Sequence, residues 1–224
     1  MVHSQSWYHM SMRTSLWLVR HGQTTFNRQR RYQGAFDSPM TPFGTMQIAA
    51  LARRLRHLPF TVAVTSSSER TRVTAATILE GRRIPVIEDP RWNETSHGRW
   101  EGLRYAEVKA RFREEAAARF ADALHGRAQG GESLAEVNMR VSAAWNTLLH
   151  DHPGGRILVV THATPIQLIL CGVANLPPTQ YWRWRVDLGS LTALDVYGSG
   201  PIVRVVNEVP LLARPFDTHA EDHP

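Results

Sequence analysis

Short apolar runs alternate with amphipathic stretches along the chain. An apolar run of about five residues between polar ones is typical of a strand that is buried on both faces of a parallel sheet. Such runs are residues 15–19, 61–65 and 156–160, with a shorter one near 85–87. Two further runs, 191–196 and 202–206, are joined by Gly198-Ser199-Gly200-Pro201, which predicts a closing hairpin.

Helical periodicity fills the intervals between these runs. Thr41-Pro42 has the pattern of an N-cap and first helical position, and Ser133 with Glu136 has that of a capping box. The serines at 66–68 predict the start of a further helix. We expect the buried face of that helix to contain Val73, Ala76, Thr77 and Ile78.

Strands that alternate with helices predict an α/β fold, here a three-layer α/β/α sandwich with a mostly parallel central sheet. Residues 98–131 fit no strand–helix unit and are predicted to form a small helical lid over the strand ends. We expect one domain over 14–213. A disordered extension is predicted at 1–13 and a flexible tail at 214–224.

Composition narrows the class of protein. Hydrophobic residues make up 42% and charged residues 21% of the 224 residues, as in folded soluble domains. Cys171 is the only cysteine, so an internal disulfide is excluded and a reducing compartment is favoured. The N-terminal residues lack the apolar core of a signal peptide, and no apolar run is long enough to cross a membrane. We therefore expect a cytoplasmic protein without a membrane partner.

The net charge of +6 bears on the ligand. Of the 26 basic residues only Lys109 is a lysine, and the arginines are mixed with acids along the chain. A nucleic-acid-binding protein usually clusters its basic residues on one face or tail, so we expect no nucleic-acid partner and interpret most arginines as a solvated surface. The positive balance favours anionic substrates.

Functional groups follow three of the predicted strands directly. These groups are Arg20-His21, the segment from Ser66 to Arg70, and Thr161-His162. The carboxyl ends of parallel strands share one edge of a sheet, next to helix N-termini that favour anions. Two arginines and two histidines converging there predict a site for a dianion such as phosphate.

Phosphoryl transfer explains why these residue types would converge. Arginine donates in a planar fork that matches phosphate and keeps its proton, and a neutral histidine can attack phosphorus. A carboxylic acid must also protonate the departing oxygen. On chemistry alone Glu88, Asp89, Glu94 or Glu101 could serve.

A resemblance to the histidine phosphatase superfamily, also called the phosphoglycerate mutase-like superfamily, rests on six ordered blocks. The first is Leu18-Val19-Arg20-His21-Gly22-Gln23-Thr24 with Asn27. The chain from about 16 to 209 continues in family order. The later blocks are Tyr32-Gln33-Gly34 through Gln47, Ser66 through Ala75, Glu94 with 98–103, Gly131-Glu132-Ser133, and Val160-Thr161-His162.

The resemblance implies roles for residues in these blocks. His21 would become the phosphohistidine, while Arg20, Arg70 and His162 would bind the phosphate; alignment of the motif selects Glu94 as proton donor. The motif positions also make six residues candidates for substrate binding: Asn27, Thr24, Gln33, Gly34, Ala163 and His97. No metal and no organic cofactor is implied, and the substrate would be a small phosphorylated metabolite.

The reaction within the superfamily is predicted from the fourth block. Cofactor-dependent mutases carry a Gly-Leu-Asn-Lys there, whereas this chain reads Gly102-Leu103-Arg104-Tyr105. Trp100-Glu101-Gly102 resembles the broad-specificity and alpha-ribazole phosphatases, so a phosphomonoesterase is favoured. A mutase is the alternative, and a non-catalytic protein that binds phosphate or nucleic acid is a more distant one. The closing hairpin could supply an edge strand for a homodimer.

Overall fold

Six strands form one mixed sheet in the computed structural model, which describes residues 13–210. The strands are β1 (Thr14–Arg20), β2 (Val62–Thr65), β3 (Val86–Glu88), β4 (Arg156–Thr161), β5 (Leu191–Tyr197) and β6 (Gly200–Glu208). Their order across the sheet is β3-β2-β4-β1-β5-β6. The first four are mutually parallel, and β5 and β6 are antiparallel to their neighbours. The predicted α/β fold, with its mostly parallel sheet and closing hairpin, is confirmed. The predictions for the two termini lie outside the described residues, apart from Arg13.

Helices cover both faces of the sheet. Within residues 13–210 the α-helices are α1 (Thr25–Arg28), α2 (Pro42–Leu55), α3 (Glu69–Ile78), α4 (Tyr105–Arg111), α5 (Arg113–Ala121), α6 (Leu134–Asp151) and α7 (Ala163–Val173). Short 3₁₀ helices lie at Pro90–Trp92, Gly98–Trp100 and Pro178–Arg183. Thr41 and Ser133 cap α2 and α6 with their hydroxyls as predicted. No helix in this part of the chain is both long and apolar enough to cross a membrane.

The strands feed two hydrophobic cores because successive side chains point to opposite faces of a sheet. Leu16 and Leu18 of β1 pack with α6 and α7, whereas Trp17 and Val19 pack with α2 and α3. The same alternation in β4 places Ile157 and Val159 on one side and Leu158 and Val160 on the other. This arrangement is the expected three-layer sandwich.

The predicted buried face of α3 is wrong in register. Val73 is 40% exposed and Ala76 is also exposed, whereas the helix buries Arg70, Thr71, Thr74, Ala75 and Ile78. The helix turns its polar first turn inward because Arg70 and Thr71 form hydrogen bonds at the end of the sheet. The apolar stripe therefore does not determine the orientation of this helix.

The segment 98–131 has a small hydrophobic core of its own. Buried Trp100, Val108, Ala116 and Ala128 form it, and Tyr32 from the main body packs against it. The helices α4 and α5 lie in this segment, as the predicted helical insertion requires.

Candidate active site

The sheet register brings three strand ends together. Arg20 at the end of β1 pairs with Thr161 at the end of β4, and Thr65 at the end of β2 pairs with Val160. His21 and His162 each follow one of these ends, and their ring centroids lie 5.2 Å apart. Both rings are buried.

The tautomer of His21 is fixed by its own loop. Its Nδ1 lies 2.8 Å from the carbonyl oxygen of Gly22. Because a carbonyl can only accept, Nδ1 carries the hydrogen and Nε2 retains its lone pair. Burial, followed by the nearby charges of Arg70 and Arg20, lowers the pKa of His21 well below its usual value. The ring is therefore a neutral imidazole at neutral pH, with Nε2 available as a nucleophile.

Backbone contacts hold the His21 loop in place. The His21 N–H donates to the carbonyl of Thr161 at 3.2 Å, and the His21 carbonyl accepts from the N–H of Gly189 at 3.0 Å. Gly22 packs closely against α2, since a Cβ at this position would lie 2.7 Å from the carbonyl oxygen of Gly44. The loop after β1 is thus fixed by the sheet on one side and by a helix on the other.

His162 has the opposite tautomer, which is set by two neighbours. Its Nδ1 lies 3.3 Å from Nη2 of Arg70, and because a guanidinium can only donate, Nδ1 is the acceptor. The hydrogen therefore lies on Nε2, which donates to Oγ of Ser66 at 2.8 Å. Burial, then the charges of Arg70, His21, Arg20 and Arg140, lower the pKa of His162 well below its usual value.

A chain of hydroxyls continues behind His162. Oγ of Ser66 lies 2.8 Å from Oγ1 of Thr71, which donates to the carbonyl of Ser68 at 2.7 Å. Since the Thr71 hydrogen is used there, the Ser66 hydroxyl donates to Thr71 and its lone pairs remain for His162. Sequence reasoning treated Ser66 as a helix-cap residue and missed this role, although its position at the carboxyl end of β2 was a signal.

Arg70 is held by the loop 33–38. Nη1 donates to Asp37 Oδ1 at 2.7 Å and to the carbonyl of Phe36 at 3.1 Å, and Nη2 donates to the carbonyl of Gly34 at 2.8 Å. Burial lowers the pKa of Arg70, and the charges of Asp37, Glu94 and Glu101 oppose that effect. Its Nε is buried with no hydrogen-bond partner among the described residues, so this donor is left for a ligand.

Arg20 is the last residue of β1 and directly precedes His21. Its Nη1 donates to the carbonyl of Val186 at 2.6 Å, in the loop that precedes β5. The adjacent Asp187 is held by Asn207 of β6, which accepts from the Asp187 N–H at 2.6 Å and donates to its carboxylate at 2.8 Å. The closing hairpin therefore helps to position Arg20.

Three of the predicted substrate-binding residues form one hydrogen-bonded group. Thr24 caps α1, with its N–H donating to Oδ1 of Asn27 at 3.0 Å. Oγ1 of Thr24 lies 2.6 Å from Oε1 of Gln33. These contacts fix the carbonyl ends of both amides, so their NH₂ groups point away from Thr24.

The other three predicted binding residues, Ala163, His97 and Gly34, have separate contacts. Ala163 is the first residue of α7, directly after His162. His97 stacks on Tyr32 with ring centroids 4.8 Å apart, and its pKa is lowered by burial. Burial likewise raises the pKa of Tyr32 to about 12, so the phenol is protonated at neutral pH. Gly34 packs directly against Glu101, since a Cβ at this position would overlap its Oε1.

The four candidate carboxylates have different surroundings. Glu88 pairs with Arg72 on the surface, and Asp89 pairs with Arg91. Glu101 accepts from the backbone N–H groups of residues 35, 36 and 97, at 2.9 to 3.0 Å. Glu94 accepts a hydrogen bond from the N–H of Thr95 at 2.9 Å. Burial lowers the pKa of both Arg70 and His97, and the negative charges of Glu94 and Glu101 oppose that effect in both.

The part of the chain that the structure describes offers no metal site at this edge of the sheet. Among residues 13–210, no three His, Cys, Asp or Glu side chains lie close enough together to hold a metal ion. The groups that do converge, two arginines and two histidines, suit an oxyanion ligand.

Comparison with known families bears directly on this geometry. Residues 16–209 match the model of the histidine phosphatase superfamily, branch 1. The chain belongs to this superfamily. The resemblance inferred from the ordered motifs is thereby confirmed, over the same residues.

Individual relatives in the superfamily carry out different reactions. The chain is 31% identical to the adenosylcobalamin/alpha-ribazole phosphatase of Salmonella typhimurium, over 86% of this chain and 95% of that protein. It is 32% identical to the 2,3-bisphosphoglycerate-dependent phosphoglycerate mutase 2 of Gloeobacter violaceus, over 84% and 89% respectively. The crystal structure of the alpha-ribazole phosphatase from Shigella flexneri superposes with a TM-score of 0.82 at 30% identity, covering 87% of this chain and 96% of that one.

Proposed function

We propose that this histidine phosphatase superfamily member is a metal-independent phosphatase that hydrolyses small phosphomonoesters through a phosphohistidine on His21. The observation that carries the proposal is the hydrogen bond from His21 Nδ1 to Gly22, which leaves the Nε2 lone pair on a neutral ring beside Arg20 and Arg70. A neutral ring is required because a protonated one has no lone pair with which to attack phosphorus.

The first step transfers the phosphoryl group to the enzyme. His21 Nε2 attacks phosphorus, a nitrogen–phosphorus bond forms, and the bond from phosphorus to the leaving oxygen breaks. Glu94 as a carboxylic acid gives its proton to that oxygen, which leaves as an alcohol. Arg20, Arg70 and His162 stabilise the charge on the equatorial oxygens in the transition state.

The second step regenerates the enzyme. The Glu94 carboxylate takes a proton from water as the water oxygen attacks phosphorus. The nitrogen–phosphorus bond breaks, its electron pair returns to His21 Nε2, and inorganic phosphate leaves. Glu94 is then protonated again, ready for the next substrate. Residues 98–131, with Tyr32 against their core, would cover the bound leaving group and exclude bulk water.

Two features favour hydrolysis over mutase chemistry. Arg104-Tyr105 stands where mutases carry Asn-Lys after Gly-Leu, so the lysine that would hold a second acidic group is missing. The preceding Trp100-Glu101-Gly102 resembles the same block of the broad-specificity and alpha-ribazole phosphatases. A phosphatase should release inorganic phosphate with or without EDTA. It should not convert 3-phosphoglycerate to 2-phosphoglycerate in an enolase-coupled assay with a bisphosphoglycerate primer.

The direct test is trapping of the phosphoenzyme. A ³²P-labelled phosphomonoester should leave an acid-labile, base-stable label on the wild type and on the control His150→Ala, a surface histidine variant. The label should be absent from His21→Ala. Label that persists in His21→Ala would overturn the assignment of the nucleophile, and conversion in the enolase assay would replace the phosphatase by the mutase.

A further inference from the structure

We propose that Arg140 and Glu132 are positioning residues that fix Glu94 for proton transfer. The inference rests on the proposed function, in which Glu94 protonates the leaving oxygen. It assigns a role to Glu132, part of the Gly131-Glu132-Ser133 motif, and to an arginine that no sequence motif indicated.

All five N–H donors of Arg140 bind the backbone around Glu94 or the carboxylate of Glu132. It lies on α6 with its side chain 18% exposed. Nη1 donates to the carbonyls of Arg91 at 2.9 Å and Asn93 at 2.7 Å, and Nη2 donates to the carbonyl of Glu94 at 3.0 Å. The two remaining donors, on Nε and Nη2, reach Glu132 at 2.8 and 2.9 Å. A guanidinium has five donors in a fixed plane, so this geometry leaves the backbone around Glu94 little freedom.

Glu132 holds the other side of the same segment. Its Oε2 accepts from the N–H of Ser96 at 2.9 Å, while its own N–H donates to the carbonyl of Ser96 at 2.8 Å. Glu94 therefore lies between two anchored residues, Asn93 and Ser96. Arg140 and Glu132 form one bidentate ion pair that joins the two anchors.

The segment needs such anchors because it lacks regular structure. Residues 93–97 lie between two 3₁₀ helices and belong to no helix or strand. A backbone without a hydrogen-bond ladder fixes its side chains poorly, and proton transfer requires heavy-atom distances of about 2.6–3.2 Å. A displacement of about 1 Å in a catalytic group costs about 100-fold in rate. The Arg140–Glu132 pair supplies the missing constraint.

If Arg140 and Glu132 position Glu94, the loss of activity in their variants depends on the leaving group of the substrate. A general contribution to folding would lower activity on all substrates alike. An alkoxide is a strong base and needs a proton as it leaves, whereas p-nitrophenolate is a far weaker base and leaves without one. The ratio kcat/KM covers only the steps up to departure of the leaving group, so hydrolysis of the phosphohistidine does not enter. A misplaced Glu94 should therefore lower kcat/KM for an alkyl ester selectively.

The experiment compares kcat/KM for β-glycerophosphate and p-nitrophenyl phosphate in five proteins. They are the wild type, Glu94→Gln as reference, Arg140→Met, Glu132→Gln, and the control Arg54→Met. The control removes the ion pair between an exposed arginine of α2 and Glu208 of β6, outside the site. Arg140→Met should lose about 100-fold on β-glycerophosphate and less than about 10-fold on p-nitrophenyl phosphate. Glu132→Gln, which keeps the size and an acceptor for Ser96, should show a smaller loss of the same kind. Arg54→Met should change neither ratio.

The outcomes separate the inference from the proposed function. If Glu94→Gln loses activity selectively on the alkyl ester but Arg140→Met and Glu132→Gln do not, the positioning role is refuted and the phosphatase proposal stands. If Glu94→Gln itself shows no dependence on the leaving group, its role as general acid fails and the inference fails with it. Should Arg140→Met not fold, as judged by its circular dichroism, the two ratios for Glu132→Gln decide.

Discussion

The hydroxyl chain behind His162 leads to a quantitative prediction for Ser66→Ala. In the wild type, Arg70 donates to Nδ1 of His162 and Nε2–H donates to Ser66 at 2.8 Å. The variant removes the acceptor of that hydrogen, while Thr71 still donates to the carbonyl of Ser68. The imidazole cannot adopt the other tautomer without placing Nδ1–H against the N–H of Arg70.

The size of the effect follows from burial. His162 and Ser66 are both 0% exposed, so water does not replace the lost acceptor. An unsatisfied buried N–H costs about 1–3 kcal/mol, and this is the expected loss in the free energy of unfolding. A ring that is no longer oriented also loses the hydrogen bond from Arg70 Nη2 to its Nδ1, a bond to a charged group worth about 1.5–3 kcal/mol, so Arg70 is no longer aligned for the phosphate. At about 1.36 kcal/mol per decade, kcat/KM should fall about 10- to 150-fold.

The assay combines activity, phosphate inhibition and stability. Ser66→Ala should lower kcat/KM for p-nitrophenyl phosphate and raise the inhibition constant of inorganic phosphate, with a lower midpoint of unfolding in urea. Ser67→Ala is the matched control, since its hydroxyl is not part of the chain to His162. If folded Ser66→Ala stays within about twofold of Ser67→Ala in both kinetic constants, the orientation of His162 does not depend on Ser66 and the reasoning is refuted.

Two further predictions concern the charged groups around the site. Asp37→Ala should lower the free energy of unfolding by about 1–2 kcal/mol, less than for a fully buried pair because the Asp37 side chain is 30% exposed. A loss in urea unfolding no greater than that of Arg54→Met, which removes a surface ion pair, would contradict this. Burial lowers the pKa of both His21 and His162, so below about pH 6.5 the unfolded chain binds more protons than the folded protein. The stability that is present above that pH is therefore lost as the pH falls. The slope of the free energy of unfolding against pH should reach about 1.4 kcal/mol per pH unit for each of the two histidines, and it should be smaller in His21→Ala. An unchanged slope in that variant would show that His21 is not buried in the neutral form.

The sequence predicted the centre of the sheet well because β1, β2 and β4 are buried on both faces. Three of the parallel strands were evident as apolar runs, and the hairpin followed from its Gly-rich turn. The convergence of Arg20, His21 and His162 required only the rule that parallel strands share a carboxyl edge. These features depend on local pattern and on simple topology, which a sequence displays directly.

The features that sequence reasoning missed depend on contacts between distant segments. Val73 was expected on the buried face of α3, but it is exposed. The helix is oriented instead by Arg70 and Thr71, whose hydrogen-bond partners lie on other loops or in the preceding turn. Glu94 could not be separated from its acidic neighbours by chemistry alone. The structure separates them by their partners, because Glu101 is occupied by three backbone N–H groups and Asp89 by Arg91.

Several arginines are not part of a solvated surface, as the sequence suggested, but bind backbone carbonyls in the loops of the site. Loops at the carboxyl ends of parallel strands carry carbonyl groups that no ladder satisfies. Four arginines donate to such carbonyls. Arg20 donates to that of residue 186 and Arg31 to that of residue 102. Arg70 donates to those of residues 34 and 36, and Arg140 to those of residues 91, 93 and 94. Lysine would offer three donors on a flexible stem, whereas the guanidinium plane spans several carbonyls and stays charged when buried. The same side chains thus fix the loops of the site and supply the positive potential that an anionic substrate requires.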